Sequence, residues 1–342
     1  MLELYEAAGA FETLEAYLDK HLRPGLTADV YLGYGLSQIL RREPGPSPPE
    51  PCPLPLLACR VRPVAEAPAG SARAPFRIGE WEASWTADEY AAAVDAVRAA
   101  IARGDVYQVN LVQHLSAPFE GDPRELATRL APLRPLCPRP LAGSGWAIVS
   151  ASPELFLARR GDRLVTKPIK GTAPIGADVE GAKDAAEHVM IVDLERNDLS
   201  RVCEVGSIRW PELMAQHELA GVTHLVSMVE GRLRPDTGLA EILRATFPGG
   251  SVTGAPKISA VDQIARIEPV GRGASMGALG TIHANGDFEL ALTIRTFAAA
   301  EGRLHLWAGG GIVWDSEPAA EVEESWLKAR PLLQTLGDPI PA

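Results

Sequence analysis

The stretch ELFLARRGDRLVTKPIKGT, residues 154–172, decides how the chain folds. Two apolar-rich runs, 154–160 and 163–169, flank Gly161-Asp162, and a two-residue turn of that kind closes an antiparallel hairpin. The second run leads into Lys167-Pro168-Ile169-Lys170-Gly171-Thr172. Pro168 stiffens the backbone before Lys170, and Gly171 lets it turn afterwards. An amine held there can serve as a covalent nucleophile if it loses a proton. The plainer reading is a solvated lysine in a β-turn, because most lysines are exposed.

Outward from the hairpin, the pattern alternates between helices and strands. Helices are expected near 11–21, over 182–195, over 238–247, from Pro256-Lys257 onward, and from Pro318 to about 336. Thr86-Ala87-Asp88-Glu89 is a capping box that opens another, with Tyr90, Val94, Val97 and Ile101 on one face and Gly104 at its end. A strand is expected over 105–111 and a first strand of three between 143 and 169. Asn285-Gly286 and Glu301-Gly302 mark two more hairpins. Hairpins interleaved with helices imply an α+β fold, a layered sandwich of mostly antiparallel sheets with helices outside. Residues 1–76 include a proline-dense segment, expected to be extended or irregular and to pack on the same sandwich.

Composition narrows the class. The chain has 342 residues, 46% hydrophobic and 23% charged, with a formal net charge of −11. An acidic chain is a poor partner for nucleic acid held by backbone charge, although a local pocket can still be positive. Cys52, Cys59, Cys137 and Cys203 lack zinc-type spacing and fit free thiols in a reducing cytoplasm. No secretory leader or membrane-length apolar run is evident, so a cytoplasmic location is expected.

Several groups carry potential chemistry. Asp184 and Glu187, and likewise Glu321 and Glu324, are three apart on expected helices and share a face. Such faces are either solvated or, turned towards each other, offer hard oxygens to Mg²⁺. Gly249-Gly250-Ser251-Val252-Thr253-Gly254-Ala255-Pro256-Lys257 approaches a phosphate loop, but Ala255-Pro256 interrupts it before the lysine, which excludes nucleotide binding. Gly309, Gly310 and Gly311 follow an expected strand and can present amides to an oxyanion, or act only as a hinge. Arg295 ends an alternating strand and suits a carboxylate, or an ordinary ion pair. Glu154 lies among apolar neighbours, where burial would raise its pKa and suit it to a general acid. His224, flanked by apolar residues, reads more simply as a satisfied core histidine.

Together these segments resemble the chorismate-utilising family, which includes anthranilate, aminodeoxychorismate, isochorismate and salicylate synthases. DVYQVNL (105–111), SPELF (152–156), PIKGT (168–172), KDAAEHVMIVDLERNDLSRVC (183–203), HLVSMVEG (224–231), FPGGSVTGAPK (247–257), LTIRT (292–296), GGGIVWDS (309–316) and EVEE (321–324) stand in family order across about 84–335. That range is expected to be the chorismate-binding catalytic domain. The resemblance implies that Lys170, in PIKGT, marks the aminodeoxychorismate branch, since anthranilate synthases usually carry alanine there. Isochorismate and salicylate synthases use a lysine at the place of Gln108. On this likeness Lys170 is the nucleophile at C2 of chorismate, and Glu154 protonates the departing C4 hydroxyl. Glu187 and Glu324 hold Mg²⁺, with Asp184 and Glu321 outside them. Arg295, Gly309 to Gly311 and Lys328 take the substrate carboxylates. His224 and Ser251 line the ring site, and Gln108 and Thr172 complete the substrate-facing set.

The likeness implies a separate glutaminase subunit as the ammonia source, since none of the four cysteines lies in a Gly-x-Cys-x-Gly elbow. Two other readings remain open here: amination at C2, as in anthranilate synthase, and a non-catalytic subunit that keeps the fold.

Overall fold

The hairpin at 161–162 forms as expected: Leu155–Arg160 and Arg163–Lys167 pair antiparallel with Arg163 opposite Arg160. A computed structural model describes residues 1–43, 45–66, 76–174, 182–219 and 222–337, with the side chains of 172–186, 219 and 222 outside that description. The hairpin is part of a sheet of ten strands among the described residues. Its order runs Leu2–Leu4, Leu57–Pro63, Leu26–Leu32, Ala278–His283, Phe288–Leu292, Leu155–Arg160, Arg163–Lys167, Val222–Arg232, Ile169–Pro174, and Arg209–Leu219 pairs with Val222–Arg232. The N-terminal strands are therefore members of this sheet rather than a separate layer.

The second sheet is built on the long strand Gln108–Glu120, flanked by Gly254–Ala255 and Arg303–Ile312, then Thr296–Ala300, Trp146–Ser150 and Leu141–Ala142. The strand pairings of both sheets are antiparallel. Both faces of the second sheet are buried. Ile148 and Ala298 join the core between the sheets, with Val30, Leu157 and Leu290 from the other side. Ala147, Val149 and Phe297 join a second core against Leu332, Leu333 and Leu336 of the Pro318–Leu336 helix. This is the two-residue alternation of a strand, with apolar atoms needed on both sides.

The helices start where the sequence marks them. Thr86 accepts from the Glu89 amide while Glu89 reaches back to the Thr86 amide, the reciprocal capping box, and the helix runs Ala87–Ala102. The helix after the cis Ala255-Pro256 bond covers Lys257–Ile267. The proline-dense segment is mostly irregular, yet it is tied down: Pro49 O accepts the Gly271 amide at 2.8 Å and Glu50 Oε2 accepts the Gly273 amide at 2.8 Å. Pro44 lies outside the described residues. Two expectations change. The strand expected over 105–111 begins at Gln108 and continues to Glu120, because the Asp105 amide closes the preceding helix on Ala100 O. Gly309, Gly310 and Gly311 lie inside the Arg303–Ile312 strand rather than after it.

Candidate active site

Lys170 is placed by a bulge. It pairs with Leu225, and the register between Ile169–Pro174 and Val222–Arg232 then slips before Ala173. Gly171 takes φ 65°, which lets the extra residue turn without a Cβ clash. His224 Nδ1 lies 2.8 Å from the Gly171 carbonyl, which can only accept, so the nitrogen donates. Burial lowers the His224 pKa; the Gly171 bond opposes this, the Arg295 charge adds to it, and the net direction is down. His224 thus pins the bulge that aims Lys170.

The lysine amine meets a carboxylate. Lys170 Nζ is 2.7 Å from Glu187 Oε1, with side chains 14% and 10% exposed, and donates to the Ser251 carbonyl at 3.4 Å. Gln108, fully buried, donates Nε2 to the same Glu187 oxygen at 2.5 Å. Burial alone would lower the Lys170 pKa, but the Glu187 charge and hydrogen bond, with Glu154 and Glu324, outweigh it and raise it. Burial likewise pushes Glu187 up, and Lys170, Lys328 and Gln108 bring it below the usual carboxylate range. A nucleophilic lysine calls for a lowered pKa, so this structure holds the amine in its charged, resting form.

Glu154 sits on the other side of Ser251. Its carboxyl is 4% exposed and accepts from Ser251 Oγ at 2.8 Å and from the Ile169 amide at 3.4 Å. Burial raises its pKa; Ser251, Lys170, Ile169 and Arg295 oppose this, and the net direction is up. A carboxyl that keeps its proton longer than usual can act as an acid. Arg295 turns at φ 50° between Phe288–Leu292 and Thr296–Ala300, and among the described residues its guanidinium has no hydrogen-bond partner. Burial lowers its pKa and Glu154 raises it, with a net fall that still leaves a cation.

The glycines leave room for the opposing carboxylates. A Cβ on Gly311 would meet Gln108 Nε2 at 2.1 Å and Glu187 Oε1 at 2.3 Å. A Cβ on Gly310 would meet Glu324 Oε1 at 3.0 Å, Lys328 Nζ at 3.2 Å and Glu321 Oε2 at 3.6 Å. Register also sets their amides. Val112 and Asn110, opposite Gly309 and Gly311, send their amides away to Glu268 and Thr253. Gly309 and Gly311 therefore turn their own polar groups to the opposite edge, which Thr296–Ala300 covers only as far as Leu306. Lys328 caps that edge, donating to Gly309 O at 2.9 Å and to Glu324 Oε1 at 2.7 Å.

The structure thus brings Lys170, Glu154, Ser251, Gln108 and Glu187 into one hydrogen-bonded group, with His224 and Arg295 beside it and Gly309–Gly311, Glu321, Glu324 and Lys328 forming the adjoining edge. The Thr172 and Asp184 side chains lie outside the described residues. No three His, Cys, Asp or Glu side chains among the described residues form a ready-made metal cage. Glu195 and Asp198, both buried, share the spacing that selects Asp184 and Glu187, as do Glu12 and Glu15 on an outer helix. The sequence reading selects neither pair, although the same three-residue rule picks them out.

The chain is similar to known proteins. The sequence pattern of the chorismate binding enzyme family matches residues 50–334. The chain is 42% identical over 269 residues to aminodeoxychorismate synthase component 1 of Klebsiella aerogenes, covering 75% of this chain and 59% of that one. It is 38% identical over 314 residues to anthranilate synthase component 1 of Streptomyces coelicolor, covering 87% of this chain and 58% of that one. It therefore spans under two thirds of the length of either relative. The crystal structure of anthranilate synthase component I from Streptococcus pneumoniae superposes with a TM-score of 0.79 at 27% identity, covering 91% of this chain and 81% of that one.

Proposed function

The chain belongs to the chorismate binding enzyme family, and on that premise we propose that it aminates chorismate at C4, giving 4-amino-4-deoxychorismate. The observation that carries this reading is the bridge through Ser251. One residue accepts the Lys170 amine on its carbonyl and donates its hydroxyl to Glu154. A nucleophile and an acid held by one residue can act on two carbons of one ring.

In the proposed sequence, Lys170 Nζ first gives up a proton, and Glu187 Oε1 is its nearest acceptor at 2.7 Å. The amine bonds to C2 of chorismate while the C4–O bond breaks, and Glu154 gives the departing hydroxyl a proton so that it leaves as water. Ammonia then bonds to C4 and the C2–N bond to Lys170 breaks, restoring the amine. Arg295 and the Gly309 and Gly311 amides suit the substrate carboxylates, since they are donors without carboxylate partners. Glu187 and Glu324 would hold Mg²⁺, with Asp184 and Glu321 outside. The donor set fits, because Mg²⁺ binds through one or two carboxylates and an anionic substrate rather than a full protein cage. When bound, the ion would neutralise a substrate carboxylate. Glu187 and Glu324 now draw that compensation from Lys170 and Lys328.

The relatives' designation as component 1 supports a second component, and we propose a glutaminase that supplies ammonia. No helix among the described residues is long and apolar enough to cross a membrane. Amination at C2 is the second reading, favoured by the anthranilate synthases among the relatives and opposed by Lys170. Incubation with chorismate, ammonium and Mg²⁺, followed by identification of the product, separates the two. Anthranilate as the product would exclude amination at C4.

A further inference from the structure

Behind Glu154, on the far side of the Gly249–Ser251 turn, lies a small cavity of about 10 Å³. That is near the smallest space that holds one water molecule. Phe156, Leu157 and Leu199 give it apolar walls, and Thr166, Glu195, Asp198 and Thr246 its polar ones, beside Gly249 and Gly250. Glu195 is 6% exposed; Thr166 Oγ1 donates to its Oε2 at 2.8 Å, and its Oε1 receives no hydrogen bond among the described residues. Asp198 is already matched: Lys257 Nζ rests on Asp198 Oδ2 at 2.5 Å and on Thr246 O at 2.9 Å. In direct contact the cluster holds two buried carboxylates and one lysine, with the Arg201 charge acting on Asp198 from farther off, and an ammonium group is already at home beside the cavity.

We propose that this cavity takes the ammonium ion consumed by the amination and that Glu195 accepts its proton, releasing ammonia one backbone turn from Glu154 and Lys170. The inference rests on the amination reading above. The step balances: NH₄⁺ and the Glu195 carboxylate become NH₃ and a neutral carboxyl, and the ammonia nitrogen then bonds to C4. The wall between the cavity and the site carries no side chain at Gly249 or Gly250, where a Cβ would meet Leu292 and Leu194 at 2.9 Å. Water is too weak an acid to use such a base, and a larger amine does not fit the space.

The surroundings suit proton transfer. Burial pushes the Glu195 pKa up to about 8; Thr166 opposes, Glu154 and Asp198 add, and Lys257 opposes. The charged groups among these face it from the residues before the Leu155–Arg160 strand, from its own helix, Ala182–Ser200, and from the Lys257–Ile267 helix. A carboxyl raised this far stands closer to an ammonium ion than an ordinary one does, which is what a base for ammonium requires.

The test is the ammonium dependence of chorismate consumption by wild type and Glu195→Gln, with Thr166→Val as a second variant that leaves the carboxylate in place. Glu195→Gln should raise the KM for ammonium roughly tenfold, the scale of a lost charged hydrogen bond, with the chorismate KM within twofold. The ratio of mutant to wild-type ammonium KM should grow as pH rises through about 8, where Glu195 becomes a base. That ratio cancels the change in ammonia fraction. Thr166→Val should move the ammonium KM in the same direction by less. Separately, above about pH 8, where Glu195 is charged, NH₄Cl should raise the wild-type Tm more than NaCl or methylammonium chloride at equal ionic strength, and Glu195→Gln should abolish the difference. An ammonium KM unchanged in Glu195→Gln overturns the proposal, as does a chorismate KM that rises in step with it. If wild type does not consume chorismate with ammonium, the amination reading fails instead. The Tm comparison then decides the cavity alone, and equal Tm in the three salts overturns it.

Discussion

Gly309 and Gly311 stand two residues apart on one strand, and alanine should do opposite things at them. At Gly309 the new Cβ would lie 1.9 Å from the Leu111 carbonyl oxygen, which is backbone and cannot step aside. Overpacking of this kind costs about 1–3 kcal/mol or more, and about 2–4 °C in Tm per kcal/mol for a chain of this order of size. At Gly311 the new Cβ would lie 2.1 Å from Gln108 Nε2 and 2.3 Å from Glu187 Oε1, both ends of flexible side chains. They can move by about 1 Å at little cost to the fold, but that displaces the partner of Lys170, and a misplacement of about 1 Å can cost on the order of 100-fold in rate. Gly311→Ala should therefore lose about 100-fold in kcat/KM for chorismate with Tm within about 2 °C of wild type, whereas Gly309→Ala should lose several degrees. Tm by calorimetry and initial rates of chorismate consumption give both quantities. Wild-type kcat/KM in Gly311→Ala, or a Tm loss matching that of Gly309→Ala, would refute the assignment of this edge to the site.

Three further outcomes are expected. Ser251→Ala removes a hydrogen bond that favours the charged form of Glu154, so the Glu154 pKa should rise further; since the acid works only while protonated, the alkaline limb of the kcat profile should move to higher pH. Glu324→Ala should abolish Mg²⁺-dependent activity with far-ultraviolet circular dichroism unchanged, and full activity of that variant in chelator would return the acid pair to a solvated face. His114 Nε2 and His305 Nδ1 lie 3.0 Å apart, and burial first among the causes holds their pKa values at about 3 and about 4, so both are neutral in the fold. Unfolding exposes them to protonation below about 6.5, so stability should fall between about pH 6.5 and 4 by up to about 1.4 kcal/mol per pH unit for each histidine; denaturant titrations of wild type and His305→Gln at pH 7 and 5 should differ in that slope.

Local signals made most of the fold legible. Gly161-Asp162, Asn285-Gly286 and Glu301-Gly302 announce hairpins that form, and the capping box at Thr86 opens its helix. Where burial breaks periodicity, the sequence is silent. Gln108, Asn110, Gln113, His114 and Ser116 are polar yet buried, so the long central strand does not alternate and its length is hidden. The hairpin of Arg209–Leu219 with Val222–Arg232 carries exposed Trp210 and Leu213 and two register shifts, which blur its pattern. At the site, Lys170, Glu154 and Arg295 could be named from residue type and neighbours. That Glu187 pairs with Lys170 and Gln108 depends on three distant elements meeting, and no local spacing contains it. For the same reason the charged state of Lys170 runs opposite to what a nucleophile alone would need.

The covalent role of Lys170 is tested most directly by intact-protein mass spectrometry of the wild-type chain with chorismate and Mg²⁺ in the absence of ammonia. A lysine adduct should accumulate, map to Lys170 by peptide analysis, and discharge to 4-amino-4-deoxychorismate when ammonium is added, while Lys170→Ala gives neither. Unmodified protein throughout, together with wild-type product formation by Lys170→Ala, would contradict the covalent route.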